Sequence, residues 1–244
     1  MTTLSVNVNK LATLRNARGK NNPDVVQTTL DIIAYGAQGI TVHPRPDERH
    51  IRKSDVVALK KAISVEFNIE GYPDTSFLTL VKDIKPTQCT LVPDAPHILT
   101  SNAGWEVAKH ITLLQNTVAE LQAHGIRVAL FIDPNHFSEA DYALLPTTGA
   151  DRVELYTEAY ANAYNTPDFP RVLTRYKNAA SRIHAQGIGL NAGHDLDLHN
   201  LRALITEIPA IEEVSIGHAL ICDSLRYGLQ ETIARYLQCL KNRP

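Results

Sequence analysis

Short stretches of this 244-residue sequence place groups able to move protons directly at the end of β-rich runs. His43 follows "ITV", Glu70 lies in "FNIEGY", Glu154 in "VELYTE", His194 ends "GLNAGH" and His218 ends "EVSIGH". An imidazole titrates near neutrality and can serve as general acid or base, and a carboxyl in apolar surroundings can be tuned toward the same range. Each group also has a structural reading. His43 could be held by a backbone carbonyl, and Glu70 and Glu154 could be buried partners of arginines, because an unpaired buried carboxylate is costly.

Cations gather near these groups. "VNVNKLATLRNARG" at 6–19 carries Asn7, Asn9, Lys10, Arg15 and Arg18, and "PRPDERHIR" after His43 carries Arg45, Arg49, His50 and Arg52. Both read either as solvated loops, the second balanced by Asp47 and Glu48, or as anion clamps in which guanidinium groups offer a planar fork of donors. A glycine before His194 and another before His218 would let a ligand approach the backbone. Metal chemistry finds less support, since neither HxH nor HExxH occurs, although His43, His194 and His218 could form a three-histidine site. There is no GxSxG elbow, and no cysteine closes a predicted strand.

The elements that must position these residues are legible from hydrophobic period. Predicted strands cover 4–9, 39–44, 65–72, 88–93, 127–133, 152–158, 189–194 and 213–218. Between them lie helical spacings: 22–37 with Asn22 as N-cap and Pro23 at the first helical position, 105–124 ending at Gly125, 169–186 ending at Gly187, and a final helix over 219–241. Eightfold strand–helix alternation, at about thirty residues per unit, predicts an α/β chain forming one (β/α)8 barrel domain over 1–244. An open doubly wound sheet is the alternative, but it would favour a glycine-rich phosphate loop that is not found here. In a barrel the active site lies at the C-terminal ends of the strands, where these polar groups are placed, and the loops after strands seven and eight often bind phosphate. The connections 10–22 and 94–104 are longer than closure needs, and the second is a candidate lid.

Composition narrows the function. A net charge of −2 with no basic stripe gives no nucleic-acid footprint, and no apolar run reaches the length of a membrane span. The start "MTTLSVNVNK" lacks the features of a secretory signal, so a cytoplasmic location is expected. Cys89, Cys222 and Cys239 are widely spaced and read as buried or inert thiols. The residues alone therefore describe a metal-independent barrel enzyme using acid/base chemistry on a phosphorylated substrate. An aldolase or epimerase on a sugar phosphate, with Lys10 as the one candidate for a Schiff base, stays open, as does a non-catalytic binding barrel.

Taken together, "VNVNKLATLRNARG", "GITVHPRPDERHI", "NIEGY", "LVPD", "VEL", "NAGHDL" and "IGHALI" resemble the pyridoxine 5′-phosphate synthase family, in order and over essentially the whole chain. The resemblance implies a (β/α)8 barrel with extra helices, assembled as a homo-octamer (a tetramer of dimers). It implies condensation of 3-amino-2-oxopropyl phosphate with 1-deoxy-D-xylulose 5-phosphate to pyridoxine 5′-phosphate, inorganic phosphate and water, with no metal or redox cofactor. It makes His43 and Glu70 proton acceptors, His194 a proton donor and Glu154 a stabiliser of a transition state. It assigns Asn7, Arg45, His50 and Thr100 to the deoxyxylulose phosphate, and Arg18, Gly217 and His218 to the aminooxopropyl phosphate. The chain departs from the best-known members, which have Asp-His at Asn9-Lys10, glycine at Asp195 and His-Thr-Gly at Tyr156-Thr157-Glu158. Asn9, Lys10 and Asp195 are all candidate substrate-binding residues; Lys10 is expected to take over binding from the usual pair, and the charge of Asp195 beside His194 acts to raise that histidine's proton affinity.

Overall fold

In the computed structural model, which describes residues 1–93 and 103–241, alternation of apolar and polar residues along each strand decides the architecture. The elements run β1 (Thr3–Asn7), α1 (Asn9–Asn16), α2 (Val25–Ala34), β2 (Gly39–Val42), α3 (Lys53–Ala62), β3 (Glu66–Gly71), α4 (Thr75–Ile84) and β4 (Gln88–Leu91). They continue with α5 (Val107–Gln122), β5 (Arg127–Ile132), α6 (Glu139–Leu144), a short 3-10 helix (Leu145–Thr148), β6 (Arg152–Tyr156), α7 (Glu158–Ala163) and α8 (Phe169–Ala185). The last are β7 (Gly189–His194), α9 (Leu201–Glu207), β8 (Ile211–Ile216), α10 (His218–Tyr227) and α11 (Leu229–Lys241). All neighbouring strands are parallel, and pairing of β1 with β8 closes the barrel in chain order. This is the (β/α)8 architecture expected from the repeat.

One parity of each strand faces the helices. Leu4 and Val6, Ile40 and Val42, Phe67 and Ile69, Val153 and Leu155 belong to the continuous buried core between strands and helices. The other parity faces the barrel axis and is polar. Ser5 and Thr41 share a hydroxyl hydrogen bond of 2.8 Å, and Thr90 donates to Asn68 at 3.0 Å. Asn191 donates to Glu213 at 3.2 Å. At the N-terminal end, Arg127 pairs with Glu66 (2.8 Å) and Arg152 with Glu212 (2.7 Å), so the base of the barrel is sealed by ions. The interior is thus a hydrogen-bonded column with paired charges below and titratable groups above.

Four sequence expectations are adjusted. Helix α2 starts at Val25 with Asp24, not Asn22, as its cap, because the Asp24 carboxylate accepts the Gln27 N–H at 3.0 Å. The connection 10–22 holds a helix of its own, α1. The last helix is two, since Gly228 at φ +78° ends α10 in a conformation that suits glycine before α11 begins. The eighth strand begins at Ile211, two residues before the expected 213, and ends at Ile216. Cys89 and Cys239 are buried as expected, whereas Cys222 is exposed. Most of the candidate lid, 94–102, lies outside the described residues. None of the described helices is long and apolar enough to cross a membrane.

Candidate active site

The C-terminal ends of the strands surround a cavity of about 640 Å³. Asn7, Asn9, Lys10, His43, Arg45, His50, Glu70, Glu154, His194, Asp195, Gly217 and His218 all line it. Of the remaining sequence candidates, Arg18 is exposed beyond the end of α1 and does not line the cavity, and Thr100 lies outside the described residues. Thr13, Arg49, Val92, Phe131 and Ser215 line it as well. Of these, Phe131 and Ser215 share the inward parity of Glu154 and Gly193 on the neighbouring strands, a signal that register makes available and a linear reading does not.

The asparagines of β1 and α1 turn out to organise the acid/base pair. Asn7 Nδ2 points at Glu70 Oε2 across 3.5 Å, and Asn7 Oδ1 accepts the Asn9 N–H at 3.1 Å. Asn9 Oδ1 in turn accepts the His43 N–H at 2.9 Å. An amide at position 9 therefore fixes the backbone of His43 while leaving its own NH2 group available toward the cavity. His43 is buried, with Nδ1 3.7 Å from Glu70 Oε2.

The loop carrying Arg45, Arg49 and His50 is held from below by α1. Arg15 forms a bidentate pair with Asp55 (2.5 and 2.8 Å) and also donates to the His50 carbonyl, as does Asn16. The His50 ring accepts the Ile51 N–H through Nδ1 at 2.9 Å, so that nitrogen is the unprotonated one. Arg15, one of the cations noted at the sequence level, is thus a structural anchor and not an anion ligand.

Electrostatics separates the titratable groups. Burial, then the charges of Arg45, His50 and His194, lower His43 well below its usual range, so it is neutral at pH 7. Burial, then Arg45 and Lys10, lower His50 to about 4. Burial raises Glu70 to about 7, against the opposing pull of His194 and Arg45. Glu154 is raised well above its ordinary value by burial and then by the charges of Glu70 and Glu213. Its Oε2 is buried with no hydrogen-bond partner among the described residues, which fits a neutral acid with a donor to spare.

The glycines ahead of the histidines also make room inside the protein itself. A Cβ on Gly193 would lie 2.4 Å from Glu154 Oε1 and 2.9 Å from the Ser215 carbonyl; on Gly217 it would meet Asn7 at 3.0 Å. A side chain at either position would collide with site residues of the protein itself, Glu154 or Asn7. His194, at φ +90°, leaves β7 in a conformation unusual for a residue with a side chain, and its Nδ1 bonds Asp195 Oδ2 at 2.8 Å. Val92, Phe131 and Tyr156 form a small apolar cluster of their own, and the first two of them line the cavity. Among the described residues no group of three or more His, Cys, Asp or Glu side chains is arranged to hold a metal ion.

A parallel eight-stranded barrel with neutral histidine, two elevated carboxyls and several cations around one top cavity defines a (β/α)8 enzyme of acid/base type. Solved structures with the same fold include phosphoribosylanthranilate isomerase from Thermotoga maritima (TM-score 0.62, 12% identity, 99% of each chain covered). Tryptophan synthase from M. tuberculosis also matches (TM-score 0.66, 12% identity, 98% of this chain and 94% of that chain). At such identity they support the fold alone. The family model described as "Pyridoxal phosphate biosynthesis protein PdxJ" matches residues 4–242, and the chain belongs to that family. It is 56% identical over 236 residues to the pyridoxine 5′-phosphate synthase of Porphyromonas gingivalis, covering 97% of this chain and 98% of the relative. It is 53% identical over 241 residues to that of Cytophaga hutchinsonii, covering 99% and 100%.

Proposed function

We propose that the cavity condenses 3-amino-2-oxopropyl phosphate with 1-deoxy-D-xylulose 5-phosphate, giving pyridoxine 5′-phosphate, inorganic phosphate and water. The observation that carries this reading is the arrangement of three differently tuned proton carriers around one cavity: neutral His43 beside Glu70, which titrates near 7, and His194 paired with Asp195. Condensing an amine with a ketone, losing water and closing a ring each require a proton to be taken from one atom and given to another. His43 and Glu70 act as acceptors, because a neutral imidazole and a carboxylate poised near pH 7 can both take up a proton. His194 is the donor. Glu154, held neutral by burial, donates to the oxygen on which negative charge develops.

Phosphate binding follows from the cations and the helix start at the rim. Asn7, Asn9, Lys10, Arg45 and His50 line the cavity, and the family resemblance, which gives Asn7, Arg45, His50 and Thr100 to the deoxyxylulose phosphate, supports that subsite, with Lys10 added to it. Gly217 and His218, at the N-terminus of α10, offer backbone N–H groups and the positive end of the helix dipole to the second phosphate, with Arg18 assigned to the same group. Asp195 borders the cavity beside His194. Lys10 sits on α1 at the rim and not within a strand, a poor position for the Schiff base of an aldolase.

The 244 residues act as one barrel domain in the cytoplasm, and the family resemblance supports assembly into a homo-octamer. Leu14 on α1 and Leu225 on α10 are exposed apolar residues available for subunit contact. Sedimentation of the purified protein tests the assembly. Supplying both phosphates to the purified protein should yield pyridoxine 5′-phosphate and one equivalent of phosphate. Folded protein giving neither product would overturn the reading.

A further inference from the structure

Three of the positions at which the chain departs from its best-known relatives, 156, 158 and 195, converge on His194. Asp195 Oδ2 receives the ring Nδ1 at 2.8 Å, with the two side chains 42% and 35% exposed to the cavity. Tyr156, at the end of β6, meets the imidazole at 84° with centroids 5.4 Å apart, and its hydroxyl donates to Glu158 Oε2 at 2.8 Å. Thr157, fully buried between them, donates to the Gly193 carbonyl at 2.7 Å and accepts the Asp195 N–H at 3.2 Å. Asn200 Nδ2 donates to the Asp195 carbonyl at 3.3 Å. Backbone on both sides of residue 194 is therefore tied down, which is what holds its φ at +90°.

We infer that Asp195 is a positioning residue that holds the His194 ring through Nδ1–H, so that Nε2 is the nitrogen that delivers a proton to the substrate. The inference rests on the reading of His194 as proton donor. A carboxylate at Nδ1 selects the tautomer protonated there, leaving the ring's acid–base traffic to Nε2. In the dehydration step the proton leaves Nε2 for the departing hydroxyl oxygen. The C–O bond breaks with its electron pair going to that oxygen as the nitrogen lone pair forms the C=N bond; water is released, and the proton of the cationic nitrogen passes to the Glu70 carboxylate. The ring is left neutral and protonated at Nδ1, still bonded to Asp195, and a proton from solvent recharges Nε2. Tyr156, braced by Glu158, blocks rotation of the ring between turnovers.

The groups facing the ring come from every element around it: Asp195 beside it, Glu70 on β3, Glu158 on α7, Tyr156 and Glu154 on β6, and His43 on β2. Burial on its own would lower the ring's proton affinity. The hydrogen bond and charge of Asp195, followed by Glu70 and Glu158, reverse that and raise it.

The test is histidine 15N NMR on the whole protein without substrates, with the His194 signals identified by their loss in His194→Asn. Wild-type His194 should stay protonated at Nδ1 when neutral. Asp195→Asn, which keeps an acceptor and loses the charge, should lower the His194 pKa by about one unit or more. Asp195→Gly should in addition shift the neutral ring toward the Nε2–H tautomer. An unchanged pKa in Asp195→Asn, or an unchanged tautomer in Asp195→Gly, would overturn the inference. In turnover, Asp195→Asn should cut kcat about tenfold or more, leave both KM values within about threefold, and move the alkaline limb of the pH profile down with the ring. A raised KM with kcat preserved would make Asp195 a substrate ligand instead. The NMR result stands whether or not the two phosphates are turned over, so failure of the reaction and failure of the inference are separate outcomes.

Discussion

Nδ1 of His43 lies 3.7 Å from Oε2 of Glu70, beyond hydrogen-bond distance but close enough for both groups to face one reacting centre. Burial keeps the histidine neutral and lifts the carboxyl to about 7, so the imidazole can accept a proton and the carboxyl is divided between its two forms near physiological pH. Asn7 and Asn9, each bonded to one member of the pair or its backbone, keep the two aligned.

The acidic limb of activity should therefore follow Glu70. Because its carboxyl must be ionised to accept a proton, kcat/KM should rise through about pH 7. Glu70→Gln should lower kcat roughly 100-fold or more and flatten that limb, as measured by steady-state kinetics between pH 5 and 9.

Lys10 lines the cavity and has no ion-pair partner among the described residues. Lys10→Ala should raise KM for the deoxyxylulose phosphate about tenfold and leave that for the aminooxopropyl phosphate nearly unchanged. Equal effects on both substrates, or none, would remove it from that subsite.

Gly193 is needed for room. Gly193→Ala would put a methyl 2.4 Å from Glu154 Oε1 and 2.9 Å from a backbone carbonyl, displacing the acid that faces the developing charge. The expected outcome is a kcat reduced about 100-fold with smaller changes in KM. A crystal structure of the variant should show Glu154 moved.

Arg15 and Asp55 tie the phosphate-side loop to α1 from a buried position, with side chains 5% and 12% exposed. Removing one partner leaves the other charge buried, so Asp55→Ala should cost roughly 3 kcal/mol in urea denaturation. It should also raise KM for the deoxyxylulose phosphate, because the His50 carbonyl loses its anchor.

Glu213 predicts a pH dependence of stability in the unliganded protein. Burial, then the charge of Glu66, raise its carboxyl to about 7 in the fold, above the ordinary value of 4.5. A carboxyl with a raised pKa binds its proton more tightly when folded. Its contribution is complete below about pH 4.5 and is lost as pH climbs through 7. Glu213→Gln should flatten the decline in Tm between pH 5 and 8, an effect on the order of 3 kcal/mol at its upper limit.

The strands, their order of appearance and the rim position of His43, Glu70, Glu154, His194 and His218 were legible because strand periodicity and turn chemistry are local. What was not legible came from contacts between distant segments. Arg15 looked like an anion ligand until Asp55, forty residues on, claimed it. That the glycines before His194 and His218 are also needed to clear Glu154 and Asn7 is visible only once neighbouring strands are in register. Asn22 was the expected cap, and the Asp24 carboxylate, which accepts the Gln27 N–H, takes that role instead.

The amino-acid sequence by itself determined the eightfold barrel, the family and most of the polar side chains at its mouth, since each of these is written in short runs of a few residues. The tertiary structure alone decided which of those side chains are charged and which face one another. Burial and neighbouring charge set proton affinity, and both depend on strands closing into a ring. Glu70 and Glu154 are chemically equivalent carboxylates in the sequence. Burial in the closed barrel raises both; His194 and Arg45 then hold Glu70 down to about 7, whereas the charges of Glu70 and Glu213 push Glu154 further up.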